Sequence, residues 1–200
     1  MTRYIVLGRF QPFHMGHEYL VKSAYEHVGE DDQLVIAIGS QQAGWEPTNP
    51  WTADERKAMI TAWSLSESIS AEIVGIDDIN DPPNWVEHAR KYHGEGTLVT
   101  SDEGTKQLYE DAGFSVQWVD LSNRETFEGW RVRVTMKMLS TVYEVDAQKE
   151  VMSVSIPKEV VDWLIEKDAL HRLYSMSLGL EHAGYSMLKT YHYGSLRKYV

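Results

Sequence analysis

Two histidines near the amino terminus are the residues of this chain whose types and spacing best suit chemistry. His14 and His17 lie three residues apart, with Gly16 between them. They close the run Gly8–His17, which follows the apolar residues Tyr4–Leu7, so the pattern predicts a strand, a tight turn and a helix start. Because a helix start has free N–H groups and imidazoles add donors, we expect a nucleotide-phosphate site here. Gly16, which lacks a Cβ, would let the ligand approach the backbone.

Helical and extended patterns alternate along the chain. The helices and strands that they predict must position this turn. Short apolar runs predict strands at Tyr4–Leu7, Leu34–Ile38, Ala71–Ile76, Gly96–Thr100 and Phe114–Val119. Helical patterns are expected at Gly16–Val28, Asp54–Leu65, Asn84–Tyr92, Lys106–Ala112 and Arg131–Leu139, with a closing helix over Val154–Leu173. The alternation predicts an α/β fold, an open and mostly parallel sheet with helices on both faces. Ligands of such sheets bind beyond the carboxyl ends of the strands, where the histidines lie.

The second helix carries its own start signal. Thr52 is the expected N-cap, and Glu55, three residues later, completes a capping box. Arg56 follows directly, and we interpret it as a structural ion-pairing group rather than a catalyst.

The composition of the chain limits the kinds of fold and partner that we expect. The chain has 200 residues, 42% of them hydrophobic, which predicts one globular domain over 1–200 with a core at 1–140 and a helical C-terminal region at 141–200. The formal net charge is −11 and no Lys/Arg cluster is visible, so we expect neither a nucleic-acid nor a membrane partner. The absence of cysteine and of any membrane-spanning stretch is typical of a cytoplasmic protein.

Four ordered blocks resemble the nucleotidyltransferase superfamily that carries an HxGH motif, and within it the archaeal-type nicotinamide-nucleotide adenylyltransferases. The blocks are Gly8–His17, Ile38–Gln42 with Asn49–Arg56, Ile79–Trp85, and Asn123–Glu125 followed by Gly129 and Arg133. They keep their order and spacing across Tyr4–Leu139, about two thirds of the chain. The resemblance implies a Rossmann-like fold.

The resemblance also implies an activity and a set of site residues. Members of this family transfer the AMP moiety of ATP to nicotinamide mononucleotide (NMN), which forms NAD and pyrophosphate. The implied catalytic residues are His14 and His17 on the ATP phosphates and Arg133 on the β- and γ-phosphates. The implied binding residues are Gly8, Arg9, Phe10, Gly16, Ser40, Asn84, Trp85 and Gly129, of which Trp85 would stack on the nicotinamide ring. Mg²⁺ would enter with ATP, and a homo-oligomer is expected.

One block departs from the family pattern. Where the family has Ser-Gly-Thr before its arginine, this chain has Glu128, Gly129 and Trp130, so both hydroxyls are missing. Glu128 must therefore turn away from the triphosphate, pair with a base such as Arg131, or weaken ATP binding. Two alternatives stay open at this point: adenylyl or cytidylyl transfer to another phosphorylated metabolite, and a nucleotide-binding sensor with weakened catalysis.

The carboxyl-terminal segment is rich in aromatic and basic residues. The stretch His182–Val200 contains Tyr185, Tyr191, Tyr193 and Tyr199 together with Lys189, Arg197 and Lys198. We interpret it as an arm that packs on a neighbouring subunit.

Overall fold

A five-stranded parallel sheet forms the centre of the computed structural model, which describes residues 2–121, 127–176 and 178. Its strands are β1 (Arg3–Gly8), β2 (Gln33–Ile38), β3 (Glu72–Gly75), β4 (Thr97–Thr100) and β5 (Ser115–Trp118). They lie in the order β3-β2-β1-β4-β5, and each of the four pairings is parallel. The α/β, Rossmann-like sheet expected from the sequence is confirmed.

The strand order reverses between β1 and β4. The chain adds β2 and then β3 on one side of β1, and afterwards returns to place β4 on the other side. Tyr4 pairs with Thr97 and Ile5 with Leu98, so the two strands lie side by side where the connections diverge. In open α/β sheets a ligand crevice forms beyond the carboxyl ends of the strands at this switch point.

Helices cover both faces of the sheet. They are α1 (Met15–Tyr25), α2 (Ala53–Ser66), α3 (Pro82–His93), α4 (Glu103–Asp111), α5 (Gly129–Leu139), α6 (Val145–Met152) and α7 (Lys158–Glu166), and residues 169–176 are also helical. Side chains alternate across β1, so Val6 packs with buried residues of α1, α2 and α5, whereas Ile5 packs with those of α3 and α4. Two buried clusters therefore sandwich the sheet.

The predicted capping box at α2 is confirmed. The Thr52 hydroxyl accepts a hydrogen bond from the Glu55 N–H at 3.3 Å, and the Glu55 carboxylate accepts one from the Thr52 N–H at 2.9 Å. This pair fixes the point at which the loop after β2 becomes helix.

Three helix predictions are wrong in extent. The first helix ends at Tyr25 rather than Val28, and the helix expected from Lys106 begins at Glu103. The single closing helix over Val154–Leu173 is in fact divided, because α7 ends at Glu166 and Asp168 takes the left-handed backbone conformation with φ of 49°. Such a residue interrupts the i to i−4 hydrogen-bond ladder. Helix α6 was not predicted at all.

Two of the predicted features lie outside the described residues: the Asn123–Glu125 part of the last block, and the aromatic stretch His182–Val200. None of the helices in the described part of the chain has the length and apolar character needed to cross a membrane.

Candidate active site

The loop from β1 to α1 is shaped by close packing of its own residues. Phe10 is buried and has a positive φ of 50°, and its ring lies over Gly8. A Cβ on Gly8 would be only 3.1 Å from that ring, so a larger residue here would require the ring to shift. Gly8 and Phe10 thus build the loop, and direct contact of either with a nucleotide stays a prediction.

Gln11 fastens this loop to the loop before α2. Its side-chain Nε2 donates to the Trp51 carbonyl at 2.8 Å, and its Oε1 accepts from the Trp51 N–H at 3.0 Å. Both residues are buried, so the amide pair forms away from competing water. Sequence reasoning gave Gln11 no role, although its place inside the signature was visible.

The two histidines stack at the start of α1. His14 is the N-cap residue, and its ring centroid lies 3.6 Å from that of His17 with an angle of 23° between the planes. The His14 N–H donates to Nδ1 of His17 at 3.3 Å, so a neutral His17 carries its proton on Nε2. His14 is 6% exposed, and its Nδ1 has no hydrogen-bond partner among the described residues.

The surroundings of both imidazoles favour their neutral form. Burial, and then the positive charge of Arg133, lower the pKa of His14 from 6.5 to about 3. Burial, followed by the charge of His14, lowers the pKa of His17 well below 6.5. A bound phosphate would oppose both effects because its negative charge favours the protonated rings.

The start of α5 faces the histidines. Arg133 donates from Nη1 to the Gln11 carbonyl at 2.8 Å. A Cβ on Gly129 would lie 3.3 Å from Nη1 of Arg133 and 3.9 Å from Nε2 of His14, so this glycine lets the helix start approach the loop closely. Burial, and then the charge of Arg9, lower the pKa of Arg133 to about 10.

Arg56 is fully buried beneath the site, and its predicted role as an ion-pairing group is wrong. Its guanidinium donates to backbone carbonyls instead, those of Arg9, Gly39, Ser40, Gln41, Ala43 and Thr52. Five N–H donors in a planar fork suit such a ring of acceptors, and no sequence pattern distinguishes that arrangement from an ion pair. Burial, and then the charge of Arg9, lower the pKa of Arg56 to about 10. Three positive charges thus influence one another here.

A cleft of about 320 Å³ opens at the switch point between these elements. It is lined from the α1 side by His14, Gly16 and His17, from the end of β4 by Thr100, Ser101, Asp102 and Thr105, and from the α5 side by Phe127–Trp130. The β4 side was missed by sequence reasoning. It could have been predicted, because these residues directly follow β4, the strand that lies beside β1.

Gly16 has a packing role that the sequence did not reveal. A Cβ at this position would lie 2.9 Å from the Cβ of Phe127 and 3.2 Å from the His14 ring. The glycine therefore brings α1 and the α5 side of the cleft together, whereas its predicted contact with a ligand stays a prediction.

Glu128 pairs with Arg131, one of the three outcomes expected for it. Its Oε2 lies 3.2 Å from Nε of Arg131 and accepts from Nε1 of Trp130 at 2.7 Å. The Arg131 guanidinium also lies over the Trp130 ring, 4.6 Å from its centroid. The negative charge in the cleft wall is thereby compensated locally.

Besides Gly8, Phe10 and Arg133, four predicted binding residues lie outside the lining of this cleft. Arg9 is exposed on the loop after β1, and Ser40 follows β2 with a φ of 46°. Asn84 is exposed in the first turn of α3 and donates to Asp81 at 2.8 Å. Trp85 is half-buried and meets the Tyr109 ring edge-on, 6.3 Å between centroids. Because α3 follows β3, Asn84 and Trp85 lie at the same edge of the sheet, and their substrate contacts stay predictions.

The described residues hold no group of three or more His, Cys, Asp or Glu side chains that could hold a metal ion. The cleft lining includes the carboxylates of Asp102 and Glu128, but the two imidazoles and the start of α1, with the Arg133 guanidinium nearby, can bind an anion.

Comparison with known proteins places this geometry in a family. Residues 5–168 match the family described as cytidylyltransferase-like. The chain is 34% identical over 179 residues to a nicotinamide-nucleotide adenylyltransferase from Methanosarcina barkeri, covering 88% of this chain and 95% of the relative. It is 36% identical over 137 residues to a protein of the same name from Picrophilus torridus, covering 67% of this chain and 79% of the relative.

A solved structure has a similar fold. It is that of a bifunctional NMN adenylyltransferase/ADP ribose pyrophosphatase from Francisella tularensis, with a TM-score of 0.68 at 18% identity. The match covers 96% of this chain and 57% of the other, so this chain spans little more than half of that protein.

Proposed function

Because the chain belongs to the cytidylyltransferase-like family, we propose that it transfers the AMP moiety of ATP to NMN, forming NAD and pyrophosphate. The observation that carries the proposal is the pair of stacked imidazoles that lines the switch-point cleft at the start of α1, with the Arg133 guanidinium bonded to Gln11 of the same loop. The names of the relatives support the same activity.

The transfer requires an in-line displacement at the α-phosphorus. A 5′-phosphate oxygen of NMN forms a new bond to this phosphorus, while the bond to the bridging oxygen of pyrophosphate breaks and its electron pair leaves with pyrophosphate. No proton needs to be removed from an ionised phosphate oxygen, so the protein must mainly position the two nucleotides and stabilise developing charge.

The histidines and the helix start supply that stabilisation. His17 carries its proton on Nε2 when neutral, and this N–H can donate to a non-bridging oxygen of the α-phosphate. His14, whose Nδ1 has no partner among the described residues, can contribute a second donor or become protonated as phosphate arrives. The start of α1, where His14 is the N-cap, adds the partial positive charge of a helix N-terminus next to these rings.

Arg133 and Arg9 would bind the leaving half of ATP. Arg133 keeps Nη1 on the Gln11 carbonyl, which leaves its remaining donors for the β- and γ-phosphates. Arg9 is exposed on the loop that contains Gln11, and it adds positive charge at the entrance of the site. In a chain of net charge −11, this local positive charge gives the triphosphate a place to bind.

A divalent cation accompanies ATP in this proposal, and Mg²⁺ is the ion we propose. It enters as part of the substrate and neutralises charge on the triphosphate, bound by phosphate oxygens and water. The cleft residues bind the rest of that substrate.

Asn84 and Trp85 are the proposed nicotinamide-side residues. The half-buried Trp85 ring is held against Tyr109, which would preset an aromatic surface for a planar base. A cytoplasmic location and a homo-oligomer, both expected from the sequence, belong to the same proposal.

The test is pyrophosphate release from ATP and Mg²⁺ with NMN as the acceptor. The proposal expects turnover and stoichiometric NAD. Turnover only with a different phosphorylated acceptor would favour the alternative transferase, and ATP binding without turnover would favour a sensor. The Glu128–Arg131 pair weighs against the sensor, because it compensates the charge that gave reason to expect weak catalysis.

A further inference from the structure

We infer that Arg172, in the helical segment 169–176, is a positioning residue that fixes the loop after β2 and, through it, the carbonyl that holds Arg133. The inference rests on the proposed function, in which Arg133 binds the β- and γ-phosphates of ATP. Arg172 is far from the signature in sequence and carried no pattern that pointed to this role.

The first step is that Arg172 binds the Glu55 carboxylate through two hydrogen bonds. Its Nη2 lies 2.6 Å from Oε1 and its Nη1 lies 2.7 Å from Oε2, so both carboxylate oxygens are bound at once. The side chains are 14% and 23% exposed, which shields the pair from water. Burial would raise the pKa of Glu55, but hydrogen bonds from Arg172 and the Thr52 N–H outweigh it, so the pKa lies below its ordinary value.

The second step is that Arg172 binds the loop as well as the helix. Its Nη1 also donates to the Pro50 carbonyl at 3.0 Å, and its guanidinium lies 3.7 Å from the centroid of the Trp45 ring. One side chain therefore contacts the middle of the loop, its last residues and the first turn of α2. Since bidentate and stacked contacts both need a planar fork, lysine cannot reproduce them.

The third step leads from Pro50 to the site. Trp51, the next residue, forms the two amide hydrogen bonds with Gln11, and the Gln11 carbonyl accepts from Arg133. Displacement of Pro50 would shift Trp51, then Gln11, and with it the acceptor that orients the Arg133 guanidinium. Misplacing a binding group by about 1 Å can cost on the order of a hundredfold in rate.

If Arg172 had a purely structural role, the expected result would be different. In that case the ion pair would only fasten the C-terminal helices, and its loss would lower the melting temperature without changing affinity for ATP. A matched control exists in the Lys149–Asp162 pair, which joins α6 to α7 at 2.7 Å in the same part of the chain. Neither Lys149 nor Asp162 lines the cleft.

The experiment compares Arg172→Met and Arg172→Lys with Lys149→Met. For Arg172→Met we expect the KM for ATP to rise about tenfold while the KM for NMN stays within about twofold, with a smaller rise for Arg172→Lys. Lys149→Met should keep both KM values. Hydrogen exchange of the full-length protein should show faster exchange at 8–14 and 49–56 in the Arg172 variants only.

The outcomes separate the inference from the proposed function. If the wild-type chain releases no pyrophosphate from NMN and ATP, the proposed function fails, and calorimetric ATP affinity together with hydrogen exchange then tests Arg172. Equal ATP affinity and equal exchange in the Arg172 and Lys149 variants would overturn the inference. Arg172→Lys retains the charge, so it serves as the folded variant if Arg172→Met does not fold.

Discussion

The two walls of the cleft are built in different ways. The loop Gly8–His17 is fixed by buried contacts of its backbone and side chains, such as the Gln11 amide on Trp51 and the stacked imidazoles. The start of α5 presents partly exposed side chains that bind one another, as Glu128 does with Arg131. We therefore expect the buried wall to set the position of the reacting phosphate in the proposed reaction, and the exposed wall to adjust the local charge.

The largest expected effect is on the buried wall. His17→Ala should lower kcat by at least about a hundredfold, because it removes a donor to the reacting phosphate. Pyrophosphate release measures the effect, and circular dichroism checks the fold. His27→Ala is the control, since His27 is exposed beyond the end of α1 and should leave kcat unchanged. Near-normal turnover of His17→Ala would contradict the role given to this wall.

Two arginines of α5 offer a sharper contrast. Arg133→Met should raise the KM for ATP by about tenfold or more, because charged hydrogen bonds to phosphate are lost. Arg131→Met should raise it less, by leaving the Glu128 charge unpaired at a partly exposed position. Steady-state kinetics with ATP as the varied substrate distinguish the two. An equal effect would contradict the distinction between Arg133, which is bonded to Gln11 of the buried wall, and Arg131, which pairs within the exposed wall.

Acid should loosen the buried wall. The pKa of His14 is about 3 in the folded chain and 6.5 when unperturbed, so the unfolded chain binds more protons between these values. The stability contributed by neutral His14 is therefore present above pH 6.5 and is lost as the pH falls towards 3. Between pH 6.5 and 5 the loss is about 2 kcal/mol, or a few degrees in melting temperature.

Thermal unfolding across this pH range measures the effect. His14→Gln, which cannot titrate, is the comparison and should show a shallower slope. The same slope in both proteins would show that His14 is not held neutral by its surroundings.

The smallest effect is expected from restoring hydroxyls in the exposed wall. The double variant Glu128→Ser, Trp130→Thr should lower the KM for ATP by less than about fivefold, because the Glu128 charge is already compensated by Arg131. An unchanged or higher KM would indicate that this chain has rearranged its phosphate contacts around Trp130.

Elements with strong local patterns were predictable from the sequence. The continuous apolar residues of β2 and the capping box of Thr52 and Glu55 identify a buried strand and a helix start without tertiary information. Helix α6 was not predicted, because Val145–Met152 is short and buries only Met152. The break at Asp168 was not predicted because aspartate, although commoner at positive φ than most residues, also occurs in uninterrupted helices.

Site residues that lie in one continuous segment could be predicted from the sequence. Contacts between segments that are distant in the sequence could not. The signature showed His14 and His17, but their neutral stacked state arises from burial against other parts of the fold. The partners of Arg56 are carbonyls, which every residue has, so composition cannot reveal them. Arg172 and Glu55 are 117 residues apart, and only the folded chain brings them into contact.

The carbonyl ring around Arg56 has a consequence for how this chain can vary. Surface loops usually accept inserted residues at little cost, because their backbone groups find water whatever their length. In the loop after β2, the carbonyls of Gly39, Ser40 and Ala43 converge on one buried guanidinium. A residue added between Gly39 and Ala43 would move at least one acceptor away and leave a buried donor unsatisfied. The length of this part of the loop is therefore set by the reach of a single arginine side chain.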